Sequence, residues 1–267
     1  MSSAEAIPPG RSKRVEHLWG TVITLDVRGP INGGLADQVF GWFRRVDELF
    51  STWRPDSEIS LLATGQLPLD RVSPEVREVL QICDEVHEES LGAFDIRVGA
   101  DRRVASREGL GPIDPSGLVK GWALGRAADL LRSEAVTNFA INAGGDVVTA
   151  GQPRPGEGWR VGIQHPWQRN RVAAVVAVSG LAVATSGRYE RGDHLIDPFS
   201  GAPATGLMLA TVITRDSALA DAYATAALVL GEDGPAWLGE RPGVSAFTIS
   251  DVASVTIIND FDQYRVK

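Results

Sequence analysis

Cysteine is almost absent from this sequence, because Cys83 is the only one among 267 residues. A single thiol excludes an internal disulfide and a zinc site built from cysteines, and the apolar helical pattern around it predicts a buried structural residue. No run of about 18 apolar residues occurs, so no segment is expected to insert into a membrane. Asp and Glu (34) outnumber Lys and Arg (26), and the net charge of -8 argues against a broad nucleic-acid-binding surface.

Several familiar signatures are also missing. The sequence holds no P-loop of the form G-x-x-x-x-G-K-[ST] and no G-x-G-x-x-G dinucleotide fingerprint. It has no nucleophile elbow, zinc-ligand spacing or serine-triad signature. Residues 1–14 contain neither an apolar signal core nor a cysteine for lipid attachment. We therefore expect a flexible lead-in over residues 1–14, a single domain over residues 15–267 and a cytoplasmic location.

The composition that remains is that of an ordinary globular protein, with 43% hydrophobic and 22% charged residues. Strand and helix patterns follow one another without strict βαβ order, which predicts an α+β fold with a mixed, largely antiparallel sheet and packed helices. Residues 100–112 have no such pattern and are expected to form a surface excursion. Helices are expected over 35–50, from Ser73-Pro74 to Gly92, after Asp114 and over 217–230. Within 15–28, the β-branched run from Val22 to Val27 predicts a strand, and Gly20 ahead of it indicates a bend or a close backbone approach. Further strands are expected over 146–150, 159–164, 172–178, 181–184, 207–214, 244–249 and 252–258.

The stretch from Asp114 to Asp146 begins with a pattern that suits a phosphate. Asp114, Gly117 and Lys120 follow one another at three-residue steps where a loop enters an amphipathic helix. A helix N-terminus has free N–H groups and a positive dipole end, both of which favour an anion. Gly117 allows a ligand to approach the backbone closely, and Lys120 adds a positive charge. An equally weighted alternative is purely structural. In it the stretch is a helix cap, followed by a strand and a tight turn at residues 143–146.

A second pattern suits a hard cation. Asp221 and Thr225 are four residues apart in an alanine-rich helix, so they share a face. A carboxylate and a hydroxyl one turn apart form half of a Mg²⁺ site, which a backbone carbonyl near Gly117 could complete. A solvated helix face is the alternative. His194 is distinguished by a preceding carboxylate, Asp193, and a following apolar-Asp-Pro turn, with a surface histidine as the alternative.

Eight segments, taken in chain order, form a set that is far more specific than any one of them. They are WGT at 19–21, FSTWRPDSEIS at 50–60, GAFD at 92–95, DPSGLVKGWALGRAADLL at 114–131, NAGGD at 142–146, ATSGRYER at 184–191, HLIDPFSGAP at 194–203 and ADAYATAALVLG at 220–231. With this set, over residues 17–258, the chain resembles the ApbE family, the FAD:protein FMN transferases. The resemblance implies Mg²⁺-assisted transfer of the FMN half of FAD to a threonine or serine hydroxyl of a client flavoprotein, with release of AMP.

The resemblance also implies roles for individual residues. Mg²⁺ would be held by the Gly117 carbonyl, Asp221 and Thr225, with Ala224 close by. Lys120 would offset charge on the phosphates, and His194 would accept the proton of the incoming hydroxyl. FAD would contact Trp19, Trp53, Ala93, Phe94, Asp95, Asp114, Lys120 and Ile196.

Two residues depart from the family's pattern, since Trp19 stands where methionine is usual and Trp53 where tyrosine is common. Both keep a large aromatic surface for stacking on a ring system, although a loop tryptophan such as Trp53 can instead cover the core. Two other functions stay open. An FAD pyrophosphatase would use the same residues with water as the attacking group, and a non-catalytic FAD-binding protein would not need all of the metal and proton-transfer residues.

Overall fold

The computed structural model describes residues 10–97, 113–191 and 195–266, except for the side chains of residues 190 and 191. Within these ranges the strands are β1 (Arg11–Leu18), β2 (Thr21–Arg28), β3 (Phe139–Ala143), β4 (Asp146–Ala150), β5 (Trp159–His165), β6 (Gln168–Val178), β7 (Ala182–Gly187), β8 (Leu207–Thr214), β9 (Ser245–Ser250) and β10 (Val255–Ile258). Eight strands form one sheet in the order β1-β2-β3-β4-β7-β8-β9-β10. The other two, β5 and β6, form a separate ribbon.

The helices of the described ranges are α1 (Gly33–Phe50), α2 (Glu58–Ala63), α3 (Pro74–Glu89), α4 (Ser116–Ser133), α5 (Arg188–Arg191), α6 (Ser217–Leu230), α7 (Gly234–Gly239) and α8 (Phe261–Tyr264). Polar caps start four of them, because the side chains of Asn32, Ser57, Ser73 and Asp216 accept hydrogen bonds from first-turn N–H groups of α1, α2, α3 and α6. The Ser73-Pro74 start of α3 is as predicted. Cys83 on α3 is buried, also as predicted, and burial raises the pKa of its thiol.

The eight-stranded sheet is antiparallel. Every neighbouring pair among its described strands runs in opposite directions. Short turns join β1 to β2, β3 to β4 and β9 to β10, and such turns permit only antiparallel pairing. The predicted α+β class is therefore confirmed, while the parallel component of the predicted mixed sheet is not found among these strands.

The segment 15–28 lies in a hairpin. β1 and β2 pair along their whole length, and the two residues between them, Trp19 and Gly20, have φ angles of 55° and 69°. Two successive residues in the left-handed region form the kind of tight turn that matches the twist of a β-hairpin. The strand predicted on the run from Val22 to Val27 is confirmed as β2, and the bend predicted at Gly20 is this turn. The pairing with β1 was not predicted, because tryptophan is not a residue that signals such a turn.

Other elements lie where the sequence places them, and some expectations fall outside the described residues. β4, β8 and α6 coincide with the predicted 146–150, 207–214 and 217–230. β1 begins at Arg11, inside the expected lead-in of residues 1–14, while residues 1–9 and the expected excursion at 100–112 lie outside the described part. Within that part, no helix combines the length and the apolar character needed to cross a bilayer.

The sheet separates two hydrophobic clusters. Successive residues of one strand belong to different clusters, as Val147 and Val148 on β4 show, because alternate side chains point to opposite faces. On one face, α1, α3, α4 and α6 pack around side chains such as Phe40 and Phe43. On the other face, the β5–β6 ribbon and α8 cover the sheet, and Phe261 contributes to this second cluster. The fold is thus a sheet with helices on one side and a ribbon on the other.

Three glycines on α4 set its distance from α6. Gly117, Gly121 and Gly125 recur every four residues and therefore share one helix face. A Cβ at Gly121 would lie 2.0 Å from the carbonyl oxygen of Ser217, and one at Gly125 would lie 2.6 Å from the Ser217 Oγ. Larger residues would push the helices apart. The glycines therefore bring α6, which carries Asp221, against the backbone of α4.

Candidate active site

Two turns at one end of the sheet position the first acidic residue of the site. The β1–β2 turn lies beside the β3–β4 turn, since a Cβ at Gly144 would be 2.8 Å from Oγ1 of Thr21. Gly144 and Gly145 have φ angles of 62° and 105°, which glycine adopts without strain. This turn starts β4 at Asp146 and places its carboxylate within reach of Lys120 on α4.

Lys120 lies between two buried carboxylates. Its ammonium forms an ion pair with Asp146, and its Nζ is 3.7 Å from Oδ1 of Asp221. Asp146 also accepts the backbone N–H of Thr185 at 3.0 Å. Asp146 and Asp221 are each only 2% exposed. Because one ammonium faces two carboxylates, it cannot fully neutralise both of them when both are ionised.

Asp221 has the weaker pairing of the two carboxylates. Its Oδ2 accepts the N–H of Gly121 at 3.0 Å. In a regular helix that N–H would bond to the carbonyl of Gly117, so Asp221 competes for the donor that this carbonyl would otherwise use. Burial raises the pKa of Asp221 to about 7, Lys120 acts in the opposite direction and Asp146 adds to the rise. A cation beside this carboxylate would favour its ionised form.

Thr225 lies one helical turn beyond Asp221 and meets both α4 and β7. Its Oγ1 is 3.1 Å from Oγ of Ser186, and a Cβ at Gly117 would be 3.1 Å from the same Oγ1. Gly117, Asp221 and Thr225 therefore lie together between α4 and α6, and the carboxylate and the hydroxyl are oxygen donors of the kind that Mg²⁺ accepts. Among the described residues no group of three or more His, Cys, Asp or Glu side chains could hold a metal ion. A cation here would depend on the hydroxyl and backbone oxygens.

The segment Ala93-Phe94-Asp95 packs against the start of α4. A Cβ at Gly117 would lie 3.2 Å from the ring of Phe94. The carbonyl of Phe94 is 2.9 Å from Nδ1 of His87, and Oδ1 of Asp95 accepts the N–H of Arg97 at 2.8 Å. His87, on the last turn of α3, therefore fixes the backbone of the segment that was predicted to contact FAD.

Asp114 lies two residues before the start of α4. Its Oδ1 accepts the N–H of Ser116 at 3.0 Å, and its own N–H bonds to the carbonyl of Ile96 at 2.7 Å. The carboxylate thus forms a local turn ahead of the helix. The N-cap residue itself, Pro115, has no side-chain cap hydrogen bond.

Ile196 belongs to a loop that folds back on itself before β8. It forms an isolated bridge with Pro203, and the N–H of Asp197 bonds to the carbonyl of Ala202 at 2.8 Å. Phe199 of the same loop would lie 3.6 Å from a Cβ at Gly92. The loop therefore borders the Ala93-Phe94-Asp95 segment, and a cavity of about 420 Å³ lies between the loop and the C-terminal end of α6.

The two tryptophans predicted to contact FAD differ in burial. Trp19 donates its Nε1–H to the carbonyl of Phe43 at 3.0 Å and packs edge-on against the Phe43 ring, with centroids 5.3 Å apart. Trp53 is 92% exposed, so it does not cover the core. Trp53 thus has a ring face free for stacking, whereas Trp19 is already anchored to α1.

Sequence reasoning gave no role to three residues of this region, namely His87, Asp146 and Ser186. Asp146 and Ser186 occur in the motifs NAGGD and ATSGRYER. These motifs marked the two segments as part of the family pattern, but they did not show which residues Asp146 and Ser186 contact. Their contacts join elements far apart in the chain, and spacing alone does not reveal such contacts. His194, the predicted proton acceptor, lies outside the described residues.

This is an α+β protein with an antiparallel sheet and helices on one face. Its candidate cation site lies between two of those helices, where the buried Asp221 carboxylate and the half-buried Thr225 hydroxyl meet. The chain belongs to the ApbE family, whose model matches residues 19–109 and 101–248. The family predicted from the eight motifs is thereby confirmed.

Relatives of known name support this membership. A FAD:protein FMN transferase of Vibrio cholerae is 27% identical over 81% of this chain and 82% of its own length. Those of Salmonella typhimurium and Escherichia coli K12 are 33% and 32% identical, over 51% and 52% of this chain. These two matches span only 42% of each relative, which is less than half of its length.

Solved structures show the same fold. The flavin transferase ApbE from Vibrio cholerae has a TM-score of 0.82 at 23% identity, covering 96% of this chain and all (100%) of that one. The ApbE protein of Thermotoga maritima has a TM-score of 0.83 at 24% identity, with the same coverage. At these identities the likeness establishes the architecture alone.

Proposed function

We propose that this protein transfers the FMN portion of FAD to a threonine or serine hydroxyl of an acceptor flavoprotein, with Mg²⁺ bound and AMP released. Membership of the ApbE family and the names of the relatives support this proposal. The observation that carries it is the convergence of Gly117, Asp221 and Thr225 beside Lys120. Phosphoryl transfer depends on positioning and on charge neutralisation more than on covalent help from the protein, so this arrangement suits it.

Three donors of this chain would hold the cation, namely the Gly117 carbonyl, the Asp221 carboxylate and the Thr225 hydroxyl. When bound, Mg²⁺ supplies charge neutralisation on the phosphate oxygens of the substrate. Asp221 contributes the formal negative charge, and its burial removes water that would otherwise compete for a ligand. Lys120, held by Asp146, adds a second positive charge beside the phosphates.

The flavin nucleotide would lie against the Ala93-Phe94-Asp95 segment and the loop that carries Ile196, with the exposed Trp53 ring available for stacking. The acceptor hydroxyl oxygen would attack the phosphorus of the FMN phosphate. The bond from that phosphorus to the AMP oxygen breaks, and AMP leaves. His194 would take the proton of the hydroxyl, a role that suits an imidazole near neutral pH.

Incubation with FAD and Mg²⁺, with and without a candidate flavoprotein, tests the proposal when AMP and the mass of the acceptor are followed. We expect AMP together with an acceptor mass gain of one FMN moiety. AMP and free FMN without a mass gain would show hydrolysis instead, and FAD that stays bound and intact would show a binding protein.

Asp221→Asn is the matched control for that experiment, because it keeps the shape of the side chain and removes its charge. We expect loss of turnover with Mg²⁺ in a protein that remains folded by circular dichroism. Full activity of Asp221→Asn would contradict the assigned cation site while leaving the transfer reaction itself standing.

A further inference from the structure

One part of this acidic protein carries only positive charge. The chain contains 34 Asp and Glu, yet none occurs between Glu157 and Glu190. The same interval holds four arginines, at positions 160, 169, 171 and 188. It corresponds to the β5–β6 ribbon, β7 and the start of α5. The ribbon is therefore a basic element on a chain whose net charge is -8.

The distal end of the ribbon, residues 165–172, is exposed from Trp167 onward, and we name it the ribbon tip. All five residues from Gln168 to Val172 are exposed, although alternate positions of a strand point to opposite faces. Neither face of the strand is therefore covered at this point. Trp167 in the turn is 46% exposed and Val172 is 57% exposed, so the ribbon tip combines apolar surface with its charge.

In the part of the chain that the structure describes, no carboxylate pairs with either arginine of the ribbon tip. Nη1 of Arg171 donates to Oε1 of Gln168 at 3.0 Å, and Nη2 of Arg169 donates to the carbonyl of Tyr189 at 3.3 Å. Among the described residues neither guanidinium forms a salt bridge. A guanidinium has five N–H donors, so both retain donors for a carboxylate partner.

The ribbon tip and the candidate active site meet the same end of β7 from opposite faces of the sheet. The Tyr189 carbonyl that Arg169 contacts is three residues beyond Ser186, whose hydroxyl is hydrogen-bonded to Thr225. A protein that presents a hydroxyl to the site and extends past this end of β7 would reach the ribbon tip as well. Complementary charge at this position would speed its encounter and fix its orientation.

We propose that the ribbon tip is a docking surface for an acidic segment of the acceptor protein. The inference rests on the proposed transferase function, because that function requires a protein partner at this site. Arg169 and Arg171 would pair with carboxylates of the segment, and Trp167 would cover its backbone or an apolar side chain.

Two fluorescein-labelled peptides test the surface without a known acceptor. Each is short and contains one threonine, but one carries several glutamates where the other carries glutamines. Fluorescence anisotropy at low salt should show that the acidic peptide binds about tenfold more tightly, and that added salt weakens its binding. Equal binding of the two peptides, or none by either, would overturn the proposal.

Charge reversal assigns the binding to the ribbon tip. Arg169→Glu with Arg171→Glu should weaken binding of the acidic peptide by about tenfold or more. Arg77→Glu with Arg132→Glu is the matched control, because it changes net charge equally at exposed helical positions. Equal loss in both double variants would show a general charge effect and overturn the docking surface. The milder pair Arg169→Gln with Arg171→Gln gives the same test should charge reversal disturb folding.

FAD binding by the same variants separates this proposal from the proposed function. The charge-reversed ribbon tip should keep the FAD affinity of the wild-type protein, measured by quenching of flavin fluorescence. A protein that binds the acidic peptide at the ribbon tip but never transfers FMN would contradict the transferase assignment alone. A protein that transfers FMN with the same acceptor KM after charge reversal would contradict the docking surface alone.

Discussion

Lys120 owes its position to Asp146, which pairs with its ammonium and accepts the N–H of Thr185. Asp146→Asn keeps an oxygen for Thr185 but removes the charge that holds Lys120 away from Asp221. We expect the turnover of FAD to fall by about 10–100-fold, as is typical when a group that orients a site residue is lost, while FAD binding changes less. Separate values of kcat and KM measure this.

Asp129→Asn is the control for that change, because Asp129 forms an ion pair with Arg132 at 2.9 Å on the surface. An exposed pair contributes about 1 kcal/mol or less, so this variant should keep wild-type turnover and stability. If Asp146→Asn also kept wild-type turnover, Asp146 would not be a positioning residue for Lys120.

Trp53 offers a test of flavin stacking that is free of folding effects, because its side chain is 92% exposed. Trp53→Ala should weaken FAD binding by about 1–3 kcal/mol if the ring stacks on the isoalloxazine or the adenine. The melting temperature should not change. Val252→Ala, at another highly exposed apolar position, is the control. If the two variants bind FAD with the same affinity, Trp53 does not stack on FAD.

Single residues could be predicted where the chemistry depends on local spacing. Asp221 and Thr225 share a helix face, so their proximity follows from the sequence. The contact of Asp146 with Lys120 does not, because it depends on how the β3–β4 hairpin meets α4. Trp53 was left between two interpretations for the same reason, since burial of a loop residue depends on the neighbours that the fold brings to it.

Close packing of α4 on α6 is the element-scale feature on which the candidate site depends. Gly121→Ala would place a methyl group 2.0 Å from the carbonyl oxygen of Ser217, so the helices must separate. We expect a loss of about 3 kcal/mol in the free energy of unfolding, together with weaker Mg²⁺ binding. Denaturant titration and isothermal calorimetry measure the two effects.

Gly41→Ala on α1 is the matched control, because a Cβ at Gly41 meets no atom within 4 Å. This change should stabilise the protein by about 0.5–1 kcal/mol, since alanine favours the helix. Equal destabilisation by both variants would show that a Gly→Ala change destabilises a helix of this protein without a close contact, and the contact with Ser217 would then not explain the result at Gly121.

Helices and strands could be predicted where the residues at their ends favour a start or a stop by themselves. Ser73-Pro74 marks the start of α3 by chemistry that needs no tertiary contact. The turn at Trp19-Gly20 carries no such signal, because its first residue is a tryptophan held at positive φ by its contacts with Phe43. The hairpin was missed since the tertiary contact that stabilises the turn is absent from the local pattern.

At the scale of the whole molecule, one sheet runs through the described chain from Arg11 to Ile258, and from this continuity we propose that the chain forms a single domain. Composition and element order predicted the α+β class. The order of strands in the sheet could not be predicted, because placing β7 beside β4 requires the ribbon of β5 and β6 to leave the sheet between them.

The second hydrophobic cluster offers a test at this scale. Phe261 is fully buried and stacks on Phe247 with ring centroids 5.2 Å apart, on the face of the sheet opposite the helices. Phe261→Ala should cost about 3–5 kcal/mol of stability. FAD affinity should stay unchanged at temperatures where the variant is folded, because the candidate site lies on the helical face. A selective loss of FAD affinity would show that the two faces are coupled.

The hydrogen bond from the Gly121 N–H to Asp221 joins residues whose positions differ by 100 in the chain. Before α6 has been synthesised and has docked, α4 presents glycines and an ammonium but none of the donors that α6 supplies. A growing chain on the ribosome therefore passes most of its synthesis without a complete cation site. The candidate site can form only once α6 has docked on α4, so metal-dependent fluorescence during translation would report the moment at which the two helices meet.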